Sequence, residues 1–313
     1  MQNLDTRFKT LLKPDPGYIL VEFDKAGAEW VVVAHLSGNE NMLRVVESDE
    51  SPHTMTANLI AGTPIDLVKK EEKLFGHLTD QTELRKGREM HIPEIYGFSR
   101  FVPRNMTLRQ AGKRANHGFN YDLGYRTFSI KYGMVEADAK RVHLAYRQAY
   151  GLERWHGAIV DELRSNRRTL YNCFGRKYRF MGNMNDELFK AAYSFKPQSS
   201  IADQVNRAII AVWNERDLGA WEFLLQVHDS IVYQHPIPTN EEEMKRLVYD
   251  IEGIADTLLR EPLEANGKRF FVDTEVKVSL TDWAHMHEVY RTGRMDMPAK
   301  LEAILCPEDS MTG

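Results

Sequence analysis

Two aspartates in this sequence follow strongly apolar stretches and are candidates to share a divalent metal ion. Asp24 ends the stretch "GYILVEFD", and Asp229 lies inside "WEFLLQVHDSIVYQ" at the expected turn of a β-hairpin. A carboxylate between two apolar strands is costly unless a cation or hydrogen-bond donors offset its charge. If the two strands are neighbours, both carboxylates reach one edge of a sheet, where oxygen ligands suit Mg²⁺ and leave positions for phosphates. Asp229 alone is more typical of an ordinary turn residue, so the prediction depends on the pair.

A second group of chemically useful residues recurs every four positions in "TLRQAGKRANHGFNYD", residues 107–122. On a helix, residues with this spacing share one face. Cations on such a face offset phosphate charge, and aromatic rings stack on a base, so the face suits a nucleoside triphosphate. A basic, solvated helix face explains the same spacing equally well. The residues are Arg109, Lys113, His117 and Tyr121.

Charge is unevenly distributed along the 313 residues. The formal net charge is −4, yet residues 100–150 hold ten Lys or Arg against three acids. A local basic surface on an acidic chain is typical of a polyanion site, although solvated helix faces give the same statistics. No apolar run is long enough to span a bilayer, and the two cysteines, Cys173 and Cys306, favour a reduced, cytoplasmic chain.

Hydrophobic patterning predicts an α+β fold. The strands and hairpins are expected at 17–24, 169–180, 221–234 and 269–279. The helices are expected at 28–36, 51–61, 107–121, 136–150, 152–169, 199–213 and 240–262. Ser51 is the expected N-cap of the second helix, and Ser200 with Asp203 forms a capping-box pattern at the start of 199–213. Residues 62–104 are expected to combine short helices with loops, and the tail after Trp283 is expected to be peripheral.

Three segments, in this order, carry a family resemblance: "VEFDKAGAEWVVVAHLSGNENM" (21–42), "RQAGKRANHGFNY" (109–121) and "LLQVHDSIVYQ" (224–234). They resemble the three polymerase motifs of family A (DNA polymerase I-like) DNA polymerases, and "GKRANHGFNY" is most similar to the bacteriophage branch. Two weaker matches are "SPHTMTA" (51–57) and "SFKPQSSIAD" (194–203). The likeness runs from about residue 1 to residue 285. Three motifs in order are far more specific than any one alone.

The resemblance implies a role for each matching residue. Asp24, Asp229 and the backbone carbonyl of Lys25 would bind two Mg²⁺ ions, for which Mn²⁺ would substitute. The two aspartates and Lys113 would be catalytic, and Glu29 would be a steric gate against the ribose 2′-hydroxyl. The incoming dNTP would contact Glu29, His53, Arg109, Lys113, His117 and Tyr121. The primer–template would contact Lys190, Gln198, Gln226 and His228.

The resemblance also implies an architecture, an antiparallel palm sheet with a mostly helical fingers subdomain. The expected division is palm at 1–50, fingers at 51–170, palm at 171–290 and a C-terminal tail at 291–313. A thumb and a 3′–5′ exonuclease, which precede the first motif in the family, are expected to be absent. We therefore expect a split polymerase whose second polypeptide supplies the thumb, with a truncated chain as the alternative. Its other partners would be primer–template DNA and dNTPs, without a membrane, in the cytoplasm or, for a phage-encoded chain, the host cytoplasm.

Several positions depart from the family pattern, among them Ser230 and His117. Ser230 stands where the third motif usually has Glu, which leaves one fewer negative charge beside the aspartates. Glu22, two residues before Asp24 on the same strand face, either substitutes partly for that acid or is a solvated strand residue, and the second interpretation is the more typical. His117 stands where the family has Phe or Tyr.

The function predicted from these patterns is template-directed DNA synthesis by nucleotidyl transfer to a primer 3′-hydroxyl. A relative of the single-subunit RNA polymerases is one alternative, and Glu29 argues against it because a bulky acid should clash with ribose. An inactive, polymerase-like DNA-binding or assembly subunit is the other alternative. Retention of both aspartates together with the cationic helix face argues against that one.

Overall fold

The chain divides into two units, and the structure, a computed structural model, describes residues 6–48, 50–78, 80–215, 219–292 and 296–305. The first unit joins Met1–Ala28 to Ser199–Gly313, and the second is Glu29–Gln198. The palm, fingers and tail boundaries drawn from the resemblance remain predictions.

Strands account for the smaller part of the described chain. Their bounds are β1 Tyr18–Lys25, β2 Thr169–Tyr171, β3 Lys177–Arg179, β4 Glu222–Val227, β5 Ser230–Pro236, β6 Leu263–Ala265, β7 Lys268–Phe270, β8 Thr274–Ser279 and β9 His287–Arg291. In the first unit, five of the described strands form a sheet in the order β4-β5-β1-β8-β9. The other two, β6 and β7, pair with each other in a separate two-stranded sheet. Each neighbouring pair in the large sheet is antiparallel. In the second unit, β2 and β3 form a short hairpin.

Helices dominate the second unit and flank the sheet of the first. In the described ranges they are α1 Thr6–Lys9, α2 Ala28–Ser37, α3 Glu40–Val46, α4 Pro52–Ala61, α5 Ile65–Phe75, α6 Gln81–His91, α7 Ile95–Phe98, α8 Leu108–Phe119, α9 Tyr125–Tyr132, α10 Glu136–Tyr150, α11 Glu153–Ser165, α12 Asp186–Glu215, α13 Glu241–Arg260 and α14 Met297–Leu305. None of them is both long and apolar enough to cross a bilayer.

Strand β1 is the central strand of the large sheet. Ile19, Leu20, Val21 and Phe23 are all buried, so both faces of the strand are covered. Such a strand reads as a continuous apolar run because neither face meets water. The register then fixes where its last residues lie, and Asp24 is the Cα partner of Ser230 on β5 and of Glu275 on β8.

Helix α8 is held against α4 by an unusually close approach of the two backbones. A Cβ added to Gly112 would lie 2.3 Å from the His53 carbonyl oxygen and 2.9 Å from the Ala57 nitrogen. Both helices are capped by side chains, since Ser51 accepts a hydrogen bond from the His53 N–H and Thr107 forms a reciprocal capping box with Gln110.

A buried ion pair positions the start of α8. The guanidinium of Arg88 contacts Glu71 at 2.5 Å, and both side chains are almost fully excluded from solvent. The same guanidinium donates to the carbonyl oxygens of Pro103 and Met106, and the other Glu71 oxygen accepts the Leu108 N–H at 2.7 Å. Burial raises the pKa of Glu71, and the adjacent Arg88 opposes that rise. The pair therefore ties α5, α6 and the first residue of α8 together.

The expected α+β class with an antiparallel sheet is confirmed, as are most of the predicted elements. The helices at 28–36, 51–61 and 136–150, the hairpin at 169–180 and the short helices within 62–104 are all present. The Ser51 cap is also confirmed.

Three details of the predicted elements are wrong, and each depends on packing in the folded chain. Helix α12 runs for 30 residues through Pro197, so Ser200 is a buried interior residue and the capping-box prediction at 199–203 fails. The predicted strand 269–279 is divided into β7 and β8, and the tail supplies β9 and α14 instead of being only peripheral. Local sequence patterns predicted the ends of helices and strands at these positions. Packing in the folded chain overrides such local preferences.

We expect Gly112→Ala to destabilise the protein by about 1–3 kcal/mol, because its new methyl group must push α4 and α8 apart. Gly157→Ala is the matched control, since Gly157 lies within α11 and a Cβ there meets nothing within 4 Å. The control should gain about 0.5–1 kcal/mol from lower chain entropy in the unfolded state. Urea unfolding of the two variants measures both values. Equal effects of the two substitutions would contradict the close approach.

Candidate active site

The two aspartates predicted to pair lie at the same end of adjacent strands. Asp24 on β1 is opposite Ser230, the first residue of β5, and Asp229 directly precedes Ser230 in the turn. Val227 pairs with Ser230, so the turn between β4 and β5 contains only His228 and Asp229. His228 adopts φ 53°, a left-handed conformation that favours glycine. This strained turn is what sets Asp229 at the sheet edge beside Asp24.

Asp24 has a cationic neighbour. The Lys277 ammonium on β8 lies 3.1 Å from the Asp24 carboxylate and 3.9 Å from that of Glu275. Burial lowers the pKa of Lys277, but Asp24 and then two further carboxylates outweigh burial and raise it above its ordinary value. Glu22, predicted to be a partial acid substitute or a solvated residue, is buried and accepts a hydrogen bond from the Trp283 indole at 2.9 Å. The solvated interpretation of Glu22 is therefore wrong.

Lys25 directs its side chain away from solvent. Its ammonium donates to the carbonyl oxygens of Leu258 at 2.6 Å and Val272 at 2.9 Å. Burial lowers its pKa to about 7, and the nearby Asp273 works in the opposite direction. The side chain thus anchors the end of β1 to α13 and to the segment before β8. Metal binding by the Lys25 backbone carbonyl remains a prediction.

The residues at this edge fit a magnesium ion of limited protein ligation. Mg²⁺ is commonly held by one or two carboxylates, with waters and substrate phosphates completing its shell. Asp24 and Asp229 supply that donor set, and the Lys277 ammonium on Asp24 shows that a cation is accommodated there. In the ranges the structure describes, no group of three or more His, Cys, Asp or Glu is arranged to hold a metal. An all-protein metal cage is therefore not the kind of site present in those ranges.

In the second unit, the predicted cationic helix face is present on α8. We call Arg109, Lys113, His117 and Tyr121 the α8 face. Arg109 lies 3.5 Å from Glu72, and the exposed Lys113 makes no ion pair with any described residue. The helix ends at Phe119 instead of Tyr121, and the Tyr121 N–H turns back to the Gly118 carbonyl oxygen. The face is thus three helical side chains followed by a ring in the C-terminal turn.

Glu29 is the centre of a polar cluster beside the α8 face. The Tyr121 hydroxyl donates to its carboxylate at 2.7 Å, and the Gln198 amide donates at 3.3 Å. The His117 ring lies 3.6 Å from the same carboxylate and meets Tyr121 edge-on. Burial, and after it the Glu29 charge, raises the pKa of Tyr121 well above its ordinary value, so the phenol stays protonated and can donate. The cluster holds the Glu29 side chain in one orientation.

His53 on α4 faces α8 as a neutral ring. Asn116 Nδ2 lies 3.0 Å from His53 Nδ1 and 3.3 Å from the Pro52 carbonyl oxygen, and Asn116 Oδ1 accepts from Thr56. Because the carbonyl oxygen can only accept, Asn116 Nδ2 is the donor to both, and the ring proton of His53 sits on Nε2. Burial, and after it the cationic groups of the α8 face, lowers the pKa of His53 to about 3.

The four predicted primer–template residues lie on α12, on β4 and in the turn that follows β4. Lys190 and Gln198 are on α12, with Lys190 partly buried and Gln198 exposed. Gln226 is exposed on β4, and His228 is exposed in the adjoining turn. Their contacts with DNA remain predictions.

Two charged residues near Asp24, both on β8, were not predicted from the sequence. Glu275 and Lys277 alternate with Val276 and Val278 in "TEVKVS", which places both charges on one strand face. That alternation was a usable signal. The residues that this face contacts could not be predicted from the alternation, because they depend on the pairing of β8 with β1.

We expect the stability of the protein to fall more steeply on acidification than that of a His53→Asn variant. The unfolded His53 ring binds a proton near pH 6.5, whereas the folded ring binds one only near pH 3, so unfolding takes up a proton between these values. Stability from this group is therefore present above pH 6.5 and is lost as the pH falls towards 3, by at most about 1.4 kcal/mol per pH unit. Asparagine keeps an acceptor for Asn116 and does not titrate. Urea unfolding at pH 7 and pH 5 measures the difference, and parallel losses in both proteins would contradict the assignment.

Comparison with known proteins places these elements in a family. Thermostable DNA polymerase I of Thermus thermophilus is 25% identical over 248 residues, which cover 76% of this chain and 25% of that protein. DNA polymerase I of Borreliella burgdorferi is 25% identical over 270 residues, covering 83% of this chain and 25% of that protein. The chain therefore spans about a quarter of the length of these relatives.

The fold is also similar to a solved polymerase structure. The POL domain of Pol1 from M. smegmatis, solved in complex with DNA primer–template and dNTP, aligns with a TM-score of 0.62 and 20% identity, covering 91% of this chain and 44% of that one. The family model for DNA polymerase family A matches residues 97–270, more than half of the sequence. The chain is thus a member of DNA polymerase family A.

Proposed function

We propose that this chain carries out template-directed DNA synthesis, transferring a nucleotidyl group from a dNTP to a primer 3′-hydroxyl. The observation that carries the proposal is the placement of Asp24 and Asp229 at one end of the adjacent strands β1 and β5. Membership of family A and the fold likeness to a POL domain bound to primer–template and dNTP support it.

The reaction needs little covalent chemistry from the protein. The primer 3′-oxygen attacks the α-phosphate in line and pyrophosphate leaves, so positioning and charge stabilisation supply most of the rate. Asp24, Asp229 and the Lys25 carbonyl are the proposed ligands of two Mg²⁺ ions. When bound, such ions stabilise the charge on the attacking and leaving oxygens.

The α8 face would hold the triphosphate. The exposed Lys113, which lacks an ion-pair partner among the described residues, is suited to offset the charge of the departing pyrophosphate. Arg109 forms an ion pair with Glu72 at 3.5 Å. The pair is partly exposed and therefore weak, so a phosphate could replace Glu72 as the partner of Arg109. Neutral His53, with its proton on Nε2, would donate a hydrogen bond to a phosphate oxygen without adding charge. His117 and Tyr121 would lie along the sugar and base.

Glu29 would discriminate against ribonucleotides. Hydrogen bonds from Tyr121 and Gln198 restrict its rotamers, so its carboxylate cannot easily swing aside for a 2′-hydroxyl. A fixed side chain at this position acts by sterics, whereas a mobile one would not. Gln198, which donates to Glu29, would also contact the minor-groove side of the primer–template.

We also propose that a second polypeptide completes the polymerase. Strand β4 is an edge of the large sheet, and its own Phe223 and Leu224 are exposed apolar side chains. Ile210 and Trp213 on α12 are also exposed and lie close to Phe223. An open edge strand beside an apolar surface is suited to receive an added strand from a partner. The proposed partner is the chain that carries the thumb, with or without a 3′–5′ exonuclease. Primer–template DNA, through Lys190, Gln198, Gln226 and His228, would be the other macromolecular partner.

Primer extension with Mg²⁺ tests the proposed reaction. We expect Asp24→Asn and Asp229→Asn each to slow extension roughly a thousandfold, because metal-assisted charge stabilisation contributes several kcal/mol to such transfers. Asp256→Asn is the control, since Asp256 pairs with Arg260 on the exposed side of α13. The assay is run with this chain alone and with its candidate second polypeptide.

Two outcomes would count against the proposals separately. Wild-type extension by Asp24→Asn in the complete assembly would overturn the catalytic role and favour an inactive DNA-binding subunit. Absence of a complex, with no gain in extension on mixing, would overturn the second polypeptide but leave the reaction standing.

The sugar selectivity of Glu29 is tested by comparing kcat/KM for a dNTP and the matching NTP. We expect Glu29→Ala to reduce the preference for the dNTP by tenfold or more, about 1.4 kcal/mol, because the obstruction at the 2′ position is removed. Glu29→Gln keeps the side-chain volume and loses the charge, so its preference should stay near that of the wild type. If Gln relaxes selectivity as much as Ala does, the steric account fails.

A further inference from the structure

Four charged residues share one face of the sheet at the Asp24 end. Glu22 and Asp24 alternate on β1, and Glu275 and Lys277 alternate on β8, with Glu22 opposite Lys277 and Asp24 opposite Glu275. The face therefore carries three carboxylates and one ammonium within two adjacent strands. On the other side of Asp24, β5 presents Ser230, whose hydroxyl donates back to the Val227 carbonyl oxygen instead of to Asp24.

Each of the other two acids on this face has a further partner. Glu22 accepts a hydrogen bond from the Trp283 indole, and Glu275 lies 3.5 Å from Arg291 on β9. Asp24 depends on Lys277 at 3.1 Å for its ion pair within the described residues. The side chains of Asp24 and Lys277 are only 27% and 26% exposed, so water screens their attraction incompletely.

We propose that Lys277 is an internal cation that competes with divalent metal for the Asp24 carboxylate and so sets the metal concentration at which the site fills. The proposal rests on the proposed function, because it takes Asp24 as a metal ligand. Lys277 is a positioning residue in this account. Without metal its ammonium holds the Asp24 side chain in place and limits repulsion among the three acids.

The competition follows from electrostatics at short range. A divalent ion that binds Asp24 must share or displace the ammonium on Oδ2, and an ammonium beside a metal ion is repelled by it. Removing the ammonium leaves three carboxylates on the face and a stronger attraction for a divalent ion. The missing acid at Ser230 works in the same direction as Lys277, since both make the edge less negative.

The experiment titrates Mn²⁺ into the full chain and follows unbound Mn²⁺ by electron paramagnetic resonance. We expect Lys277→Met to bind Mn²⁺ more tightly, on the order of tenfold, because a charge next to a partly buried carboxylate is removed without loss of volume. Lys277→Arg keeps the charge and should stay within about twofold of the wild-type affinity. A thermal unfolding scan is the second readout, and added Mn²⁺ should stabilise Lys277→Met more than the wild type.

Arg291→Met is the matched control. It removes the same charge from the neighbouring strand, where the guanidinium contacts Glu275 and not Asp24. We expect its Mn²⁺ affinity to change less than about threefold. An equal gain in both Met variants would mean that net charge alone sets the affinity, and the specific role of Lys277 would be overturned.

Asp24→Asn separates this proposal from the proposed function. If Asp24→Asn loses Mn²⁺ binding while Lys277→Met binds as the wild type does, or more weakly, then Asp24 is a ligand and only the competition is wrong. If Asp24→Asn binds Mn²⁺ as tightly as the wild type, the metal site itself is wrong. Circular dichroism verifies that each variant is folded, and should Lys277→Met not fold, Lys277→Gln is measured with the same expected gain.

Discussion

The pairing of strand β1 with β5 on one side and β8 on the other is the constraint on which the candidate catalytic edge depends. β1 is buried on both faces, and a slip of one residue would move each side chain to the opposite face. Phe23 would then occupy the position of Asp24, and the carboxylates of Glu22 and Asp24 would lie on the face that now holds Val21 and Phe23. The correct register sets Asp24 opposite Ser230 and Glu275. It also sets the two-residue turn with Asp229 beside Asp24, although the aspartates are separated by more than two hundred residues of sequence. Hydrophobic burial thus determines the position of the charged groups.

In the second unit, buried polar groups and a glycine determine the position of helix α8. The Arg88–Glu71 pair satisfies the backbone at the start of α8, and Gly112 lets α8 approach the backbone of α4. Breaking a buried pair of this kind leaves an uncompensated charge and is strongly destabilising, so the pair specifies one position for the helix. That position brings Asn116 to His53 and Tyr121 to Glu29. The orientation of His53 and Glu29, two of the proposed nucleotide contacts, therefore depends on packing several residues away.

Electrostatic balance is the common theme of the two units. In the first, three carboxylates surround one ammonium at one end of the sheet. In the second, burial and after it the cations of the α8 face lower the pKa of His53 and keep its ring neutral. Lys277 on Asp24 and Glu72 on Arg109 are internal counter-ions for groups that the proposed reaction would use. In the proposed reaction, ligand binding at these groups would be an exchange of partners.

By itself the sequence determined the class of the fold, most element positions and the motifs in which the proposed site residues lie. Local rules suffice for these, because caps such as Ser51, turn residues and apolar periodicity act over a few positions. Tertiary structure decided that α12 continues through Pro197 to residue 215, and that Tyr121 lies past the end of α8 with its hydroxyl on Glu29. It alone placed Lys277 on Asp24, since strand pairing, and not proximity in sequence, brings residues 253 positions apart within 3.1 Å. Long-range contacts depend on the free energy of the whole folded chain, which no local pattern contains.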